Sequence, residues 1–294
     1  MQKTLDLSIK KHEHGTTDGG YVTANKKIYP AYMDNQAWEA FVADMMEHHN
    51  DAYREYGAGS GGELKEKGSY PPKMASYGSS SRMIYNLSKD VAGFHFEYQL
   101  PTVVGGTANL DGYMEKENEL VFVEAKCREP YGTKPHLIEN AYRELYEHID
   151  GDKDSGLNIM IKDADAKKMN VTFSAAAHPI MHFDIKQMIC HLLGIAAKLL
   201  DHPTDKRITF LYLCYDPHEI EITDGKKAER ILATYDRMRA ECGAIDFAKL
   251  WESIVTYLRE KLKVGSANDR EVAAMLANFR FALCDQEDYQ ALLK

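Results

Sequence analysis

Three charged residues stand where strands should be apolar: Asp111 on the run TANLDGYM, and Glu124 and Lys126 within LVFVEAKC. The first run alternates and the second is rich in β-branched and aromatic residues, with EKENE between them as the turn. A hairpin loop centred between Glu117 and Asn118 pairs residues whose numbers sum to 235, which sets Asp111 opposite Glu124. Opposed side chains lie about 4.5–5.5 Å apart at Cβ, and two carboxylates there repel unless something compensates them. Lys126, two residues on, projects from the same face as Glu124. Converging carboxylate oxygens beside an ammonium suit Mg²⁺, with Mn²⁺ as a substitute, held by a few carboxylates and keeping its waters. The chemistry implied is phosphodiester hydrolysis by activated water, with Lys126 orienting the water or offsetting charge in the transition state. The structural alternative is an ion pair between Lys126 and Glu124, with Asp111 capping a bend.

At Asp111 and Glu124-Ala125-Lys126 the chain resembles the PD-(D/E)xK nuclease superfamily, the restriction-endonuclease-like phosphodiesterases, whose signature is an Asp on one strand and Glu-x-Lys on the next. Leu110, not proline, precedes the aspartate, which leaves the metal ligands unaffected. The wider phrases SSRMIYNL, FEYQLPTVVGGTANLDGYM, FVEAKCREPYG and FDIKQMICHLLGI look like a bacterial branch of that superfamily, over roughly residues 77–216. The resemblance implies an α/β fold with a core of helix, three strands, helix and strand, its mixed sheet flanked by helices. It implies Asp111, Glu124 and the backbone carbonyl of Ala125 as metal ligands, Lys126 as the catalytic ammonium, and DNA cut as by an endonuclease. In the superfamily the helix after Glu-x-Lys often carries a substrate-placing glutamine, in some branches as Gln-x-x-x-Tyr. Here the pattern is Gln187-x-x-x-His191, and Gln187 could instead close a capping box with Asp184.

The elements that must position these residues are legible in outline. Residues 1–76 form an N-terminal arm with one amphipathic helix over 36–56, where Trp38, Phe41, Val42 and Met45 make a stripe, and then a glycine-rich linker. Within the linker Gly57, Gly59 and Gly62 match GxGxxG, but a helix precedes and a charged linker follows, so dinucleotide binding is not indicated. Residues 77–216 form the core: a helix over 79–89 capped by serine, a strand FHFEYQL, the hairpin, a helix over 135–149, a helix FDIKQMICHLLGIAAKLL and the buried strand RITFLYLCYD. In FHFEYQL, alternation puts Phe94, Phe96 and Tyr98 on one face and His95, Glu97 and Gln99 on the other. Glu97 is either a further acidic ligand or a strand residue that faces solvent or pairs with a nearby Lys or Arg. Residues 217–294 read as a C-terminal helical extension, including DREVAAMLANFRFALC.

Other candidates lie around this frame. Arg128 and Lys134 follow the Glu-x-Lys strand and Lys186 precedes Gln187, so each could meet a phosphate or simply face solvent. His178 and His182 have helical metal spacing, but Pro179 between them disfavours a helix and a zinc site. GxSxG, GxxxxGK[ST] and HExxH are absent, and nothing marks Cys127 as a nucleophile. Five scattered cysteines without a CxxC pair indicate neither a disulfide framework nor a zinc ribbon and suit a reducing cytoplasm. No apolar leader or membrane-length run is seen. The net charge of −9 opposes tight nonspecific grip on duplex DNA without opposing cleavage, and it leaves room for a second copy or a basic partner subunit. The competing expectation is a noncatalytic nucleic-acid-binding or assembly module that keeps the fold.

Overall fold

The central strands of this chain are apolar on both sides, a pattern that requires cover on both faces of their sheet. The computed structural model describes residues 20–29, 31–59, 62–127, 137–152, 155–176, 178–219, 225–264 and 269–293. A short antiparallel hairpin, β1 (Tyr21–Val22) and β2 (Ile28–Tyr29), opens them. Helix α1 (Asn35–His48) starts where the Asp34 side chain accepts from the Ala37 N–H. The single helix expected over 36–56 is in fact two. His49 leaves helical geometry (φ −137°, ψ 49°), packs edge-on against Tyr85, and the chain restarts as α2 (Asn50–Ala58). Here a tertiary contact overrides local propensity. Helix α3 (Ser80–Ser88) begins at Ser79, whose hydroxyl accepts from the Arg82 N–H, as serine capping predicts.

Strands β3 (Phe94–Pro101), β4 (Thr107–Glu115) and β5 (Glu119–Lys126) then form an antiparallel meander. The β4–β5 ladder pairs Tyr113 with Phe122 and Gly112 with Val123, in the expected register, but it ends there and does not include the expected pair of Asp111 with Glu124. The helix expected over 135–149 is shorter. Strand β6 (Leu137–Glu139) and a 3-10 turn at Asn140–Tyr142 precede α4 (Arg143–Gly151), because Ile138 is pinned in the core between two exposed neighbours. A second antiparallel sheet follows, with β6 and β7 (Leu157–Asp163) on either side of β8 (Lys168–Ala175), and β9 (His178–Ile180) also on β8.

Helix α5 (Ile185–Asp201) crosses the meander closely: a Cβ on Gly194 would lie 2.9 Å from Ala108 Cβ and 3.1 Å from Leu100 Cβ. Strand β10 (Arg207–Cys214) runs parallel to β5 and sets Tyr212 beside Glu124. Helices α6 (Gly225–Gly243), α7 (Phe247–Leu262) and α8 (Asp269–Ala277) come next. The C-terminal extension is not wholly helical, contrary to expectation. Residues Phe279–Cys284 form β11, parallel to β10, before α9 (Gln286–Leu293). In FRFALC the two-residue alternation of Phe279, Phe281 and Leu283 prevails, and Phe281 stacks on Phe210 across the ladder.

The fold is therefore mixed α/β, with a mixed sheet of order β11-β10-β5-β4-β3 flanked by helices. One face carries Leu120, Phe122, Phe210 and Tyr212 under α4, α5, α7 and the second sheet. The other carries Val121, Val123 and Leu211 under α1, α2, α3 and α9. No helix among the described residues is long and apolar enough to cross a membrane.

Candidate active site

The site forms where two ladders break at one point. Strands β3 and β4 keep one register on both sides of Glu97, but Glu97 itself drops out of the pairing with φ +52°. Asp111 lies across from it and drops out as well. Before this point Phe94, Phe96, Gly112 and Met114 face α3; beyond it Tyr98, Leu100, Ala108 and Leu110 face α5. The expectation that Phe94, Phe96 and Tyr98 share a face is thus corrected, because a left-handed residue turns the strand over. Such a conformation costs a non-glycine residue about 1–3 kcal/mol and persists only where the surroundings enforce it.

Asp111 is also the end of the β4–β5 ladder. That ladder stops at Gly112 and Val123, and in place of a further backbone pair Asp111 Oδ2 accepts from the Ala125 N–H at 2.7 Å. Asp111 therefore meets the Glu-Ala-Lys segment through its carboxylate. Glu124 and Lys126 both face α5 from the pleat of β5, almost wholly buried. Lys126 Nζ donates to Glu124 Oε1 at 2.5 Å and to Gln187 Oε1 at 2.6 Å. The capping function at Gln187 falls to its backbone N–H, which donates to Asp184, so the side chain is available to Lys126.

One turn further along α5, His191 Nε2 lies 2.9 Å from Glu124 Oε2 with both side chains buried. This is a close polar contact without hydrogen-bond alignment. The pattern Gln187-x-x-x-His191 gives His191 no role of its own, and the structure sets it against Glu124. The i, i+4 spacing from Gln187 was the signal that could have found it, since α5 presents both residues on one side.

Asp111, Glu124, Lys126, Gln187 and Glu97 all line one cleft of about 470 Å³, together with Glu63, Lys73, Asn109 and the serines at the start of α3. Glu63 is buried; its Oε1 accepts from Lys73 Nζ at 2.8 Å, and its Oε2 has no hydrogen-bond partner among the described residues. Sequence reasoning passed over it because it sits in the glycine-rich stretch read as linker. A Cβ on Gly59, in that same stretch, would lie 3.1 Å from Glu97 Oε2. Lys186 stays at the exterior, donating to the Leu137 carbonyl. Arg128 and Lys134 lie outside the described residues.

The electrostatics divide the carboxylates. Burial alone would raise Glu124, but Lys126 and then His191 outweigh it and hold the carboxyl down at about 2. Burial, and after it the charge of Glu124, keeps Asp111 well above the usual carboxylate range despite the pull of Lys126 and the Ala125 N–H. Burial and the neighbouring Glu63 push Glu97 up to about 7, against Lys73. Among the described residues, no group of three or more His, Cys, Asp or Glu closes around one point. His178 and His182 accordingly form no such group. The donor set around the cleft is nonetheless hard oxygen, and burial, with a like charge beside it, raises two of its members. That chemistry fits a hard divalent cation held by two carboxylates, with water completing its shell.

No protein-family model, curated protein or solved structure matches this chain, so its chemistry rests on the geometry of this cleft.

Proposed function

We propose that the chain is a metal-dependent nuclease of the restriction-endonuclease-like class, hydrolysing phosphodiester bonds in DNA by attack of activated water. The observation that carries this reading is the buried Lys126 ammonium, fixed between Glu124 and Gln187 at the edge of a cleft that also holds Asp111. The order α3, β3 to β5, α5, β10 supports the finer topology, with β6 to β9 as an insertion and β11 as an addition.

Mg²⁺, with Mn²⁺ as a substitute, would supply electrophilic charge at the phosphoryl group and lower the pKa of the attacking water. Asp111 and Glu124, assisted by the Ala125 carbonyl, would hold it. Lys126 presents a fixed positive charge where negative charge builds during the displacement, and fixed charge in a buried site acts without reorganising. Gln187 holds the ammonium and His191 braces the carboxylate behind it. Glu97 and Glu63 extend the acidic wall of the cleft.

The test is cleavage of labelled single- and double-stranded DNA and RNA with Mg²⁺, Mn²⁺ or EDTA, comparing wild type with folded Lys126→Ala and Asp111→Ala. Metal-dependent cleavage lost in both variants supports the enzyme. Binding without cleavage assigns a noncatalytic nucleic-acid-binding module. Absence of both metal stabilisation and nucleic-acid binding removes both readings.

A further inference from the structure

A second cleft, of about 460 Å³, adjoins the first, and the two share Asn109 and Gln187 in their linings. Its chemistry differs. Where the first is walled by carboxylates and serines, the second adds an aromatic and apolar wall of Tyr142, Tyr146, Ile138 and Cys190 to a polar rim of Glu139, Asp184, Lys186 and His191. Its volume falls in the range of pockets that enclose small organic groups.

Tyr142 is held in place in this lining. Its hydroxyl lies 3.3 Å from Cys190 Sγ on α5, and a Cβ on Gly106 would come within 2.8 Å of the same oxygen, so the β3–β4 turn admits the phenol only because residue 106 is glycine. Tyr146 is fully buried behind it, with its ring stacked at 6.1 Å. The half-buried Tyr142 ring is therefore a fixed aromatic surface in the cleft next to the one that holds Lys126.

We propose that this second cleft receives the base of an unpaired nucleotide next to the phosphate bound at Asp111, Glu124 and Lys126, with Tyr142 as its stacking surface. The inference rests on the nuclease reading and narrows its substrate to single-stranded, frayed or flipped-out nucleic acid. A base can enter a recessed cleft only after leaving its stack, and aromatic side chains accept any base through its π-face. The charge of the chain agrees with this assignment. At a net −9 it is poorly equipped to grip duplex phosphates, whereas stacking supplies affinity that salt screens little. The Asn109 and Gln187 amides stand between the two clefts, where a sugar-phosphate link joining base to phosphate would pass.

The experiment uses the full chain and a short fluorescent single-stranded DNA, intact or with one abasic nucleotide walked along it. Binding is read by anisotropy in EDTA and cleavage separately in Mg²⁺. Tyr142→Ala should weaken binding of the intact strand about 5- to 100-fold, and Tyr142→Phe should stay near wild type. One abasic position should weaken the wild type by a similar factor, and against that strand Tyr142→Ala should bind no worse than wild type. A blunt duplex should bind more weakly than the single strand. Equal losses for Tyr142→Ala on intact and abasic strands, or no abasic position that matters, overturn the proposal. Base-dependent binding without cleavage upholds the pocket and overturns the nuclease reading, while cleavage indifferent to bases does the reverse.

Discussion

His191 on α5 holds its Nε2 2.9 Å from Glu124 Oε2, on the side of that carboxylate away from Lys126. Glu124 is thus met at both oxygens, by Lys126 from its own strand and by His191 from α5. Groups that orient a ligating side chain typically change metal affinity by about 10–100-fold when lost. His191→Phe should accordingly raise the Mg²⁺ concentration for half-maximal cleavage by about that factor, with the fold kept. His191→Gln, which restores a nitrogen donor, should recover most of it. An equal loss in the two variants would reduce His191 to core packing.

Lys126 is the shared partner of Glu124 and Gln187. Lys126→Met leaves a buried carboxylate with His191 alone, and breaking a buried pair from one side costs about 3–5 kcal/mol. The expected result is cleavage down at least about 100-fold with a lower urea midpoint. Gln187→Ala should lower the rate by about tenfold or more, because it removes a hydrogen bond to an ammonium worth about 1.5–3 kcal/mol. Full activity in folded Lys126→Met would refute the catalytic assignment.

Glu97 makes stability depend on pH in a direction opposite to most carboxylates. Its folded pKa, about 7, lies above the ordinary 4.5, so folding takes up a proton. Stability contributed by this group falls as pH rises from about 4.5 to 7, and the penalty is complete above 7. Glu97→Gln should match wild type near pH 4 and exceed it by about 1–3 kcal/mol at pH 8, as read by urea denaturation. Glu124 has the opposite sign. Its contribution is present above the ordinary carboxylate pKa and is lost as pH falls toward about 2.

A divalent cation should relieve the same crowding. Mg²⁺ at ten times its Kd would stabilise the chain by roughly 1.4 kcal/mol, a rise in Tm of about 3 °C. The rise should be larger at pH 8 than at pH 5, because Glu97 then ionises more fully. Differential scanning fluorimetry with Asp111→Asn should show none. An undiminished shift in that variant would move the cation elsewhere.

Gly112 sits between Asp111 and the α3 face, and a Cβ there would lie 2.2 Å from Phe94 Cζ and 2.7 Å from its Cε1. Gly112→Ala should destabilise by about 1–3 kcal/mol, and its cost should be smaller in a Phe94→Ala background, so that the double variant loses less than the sum of the two single losses. Chemical denaturation of the two single variants and the double variant checks this directly.

The hairpin was legible because the turn EKENE between two strand-like runs fixes the register, and the ladder pairing Tyr113 with Phe122 follows it. The charged residues stood out against apolar runs, which is why Asp111, Glu124 and Lys126 were found. Glu63 and His191 were not, for different physical reasons. Glu63 comes from an irregular loop whose path no periodicity encodes. His191 is one of several polar residues on α5, and only the crossing angle of that helix, allowed by Gly194, decides that it meets Glu124. Strand β11 was hidden because six residues of two-fold alternation follow directly on a helix, and β6 because three residues are too few to show a period.

The parallel pairing of β5 with β10 joins Glu119–Lys126 to Arg207–Cys214, and β6 to β9 and α5 lie between them in the chain. Pairings of such separation form slowly, since a long loop must close before any contact rewards it. The hairpin carrying Asp111 and Glu124 is local and can form first, but α5 and β10 must dock before Glu124 and Lys126 are sealed from water. Assembly of the charged cluster is therefore a late event in folding. Substitutions that relieve its repulsion should act mainly on the unfolding rate and leave the early steps of folding unchanged.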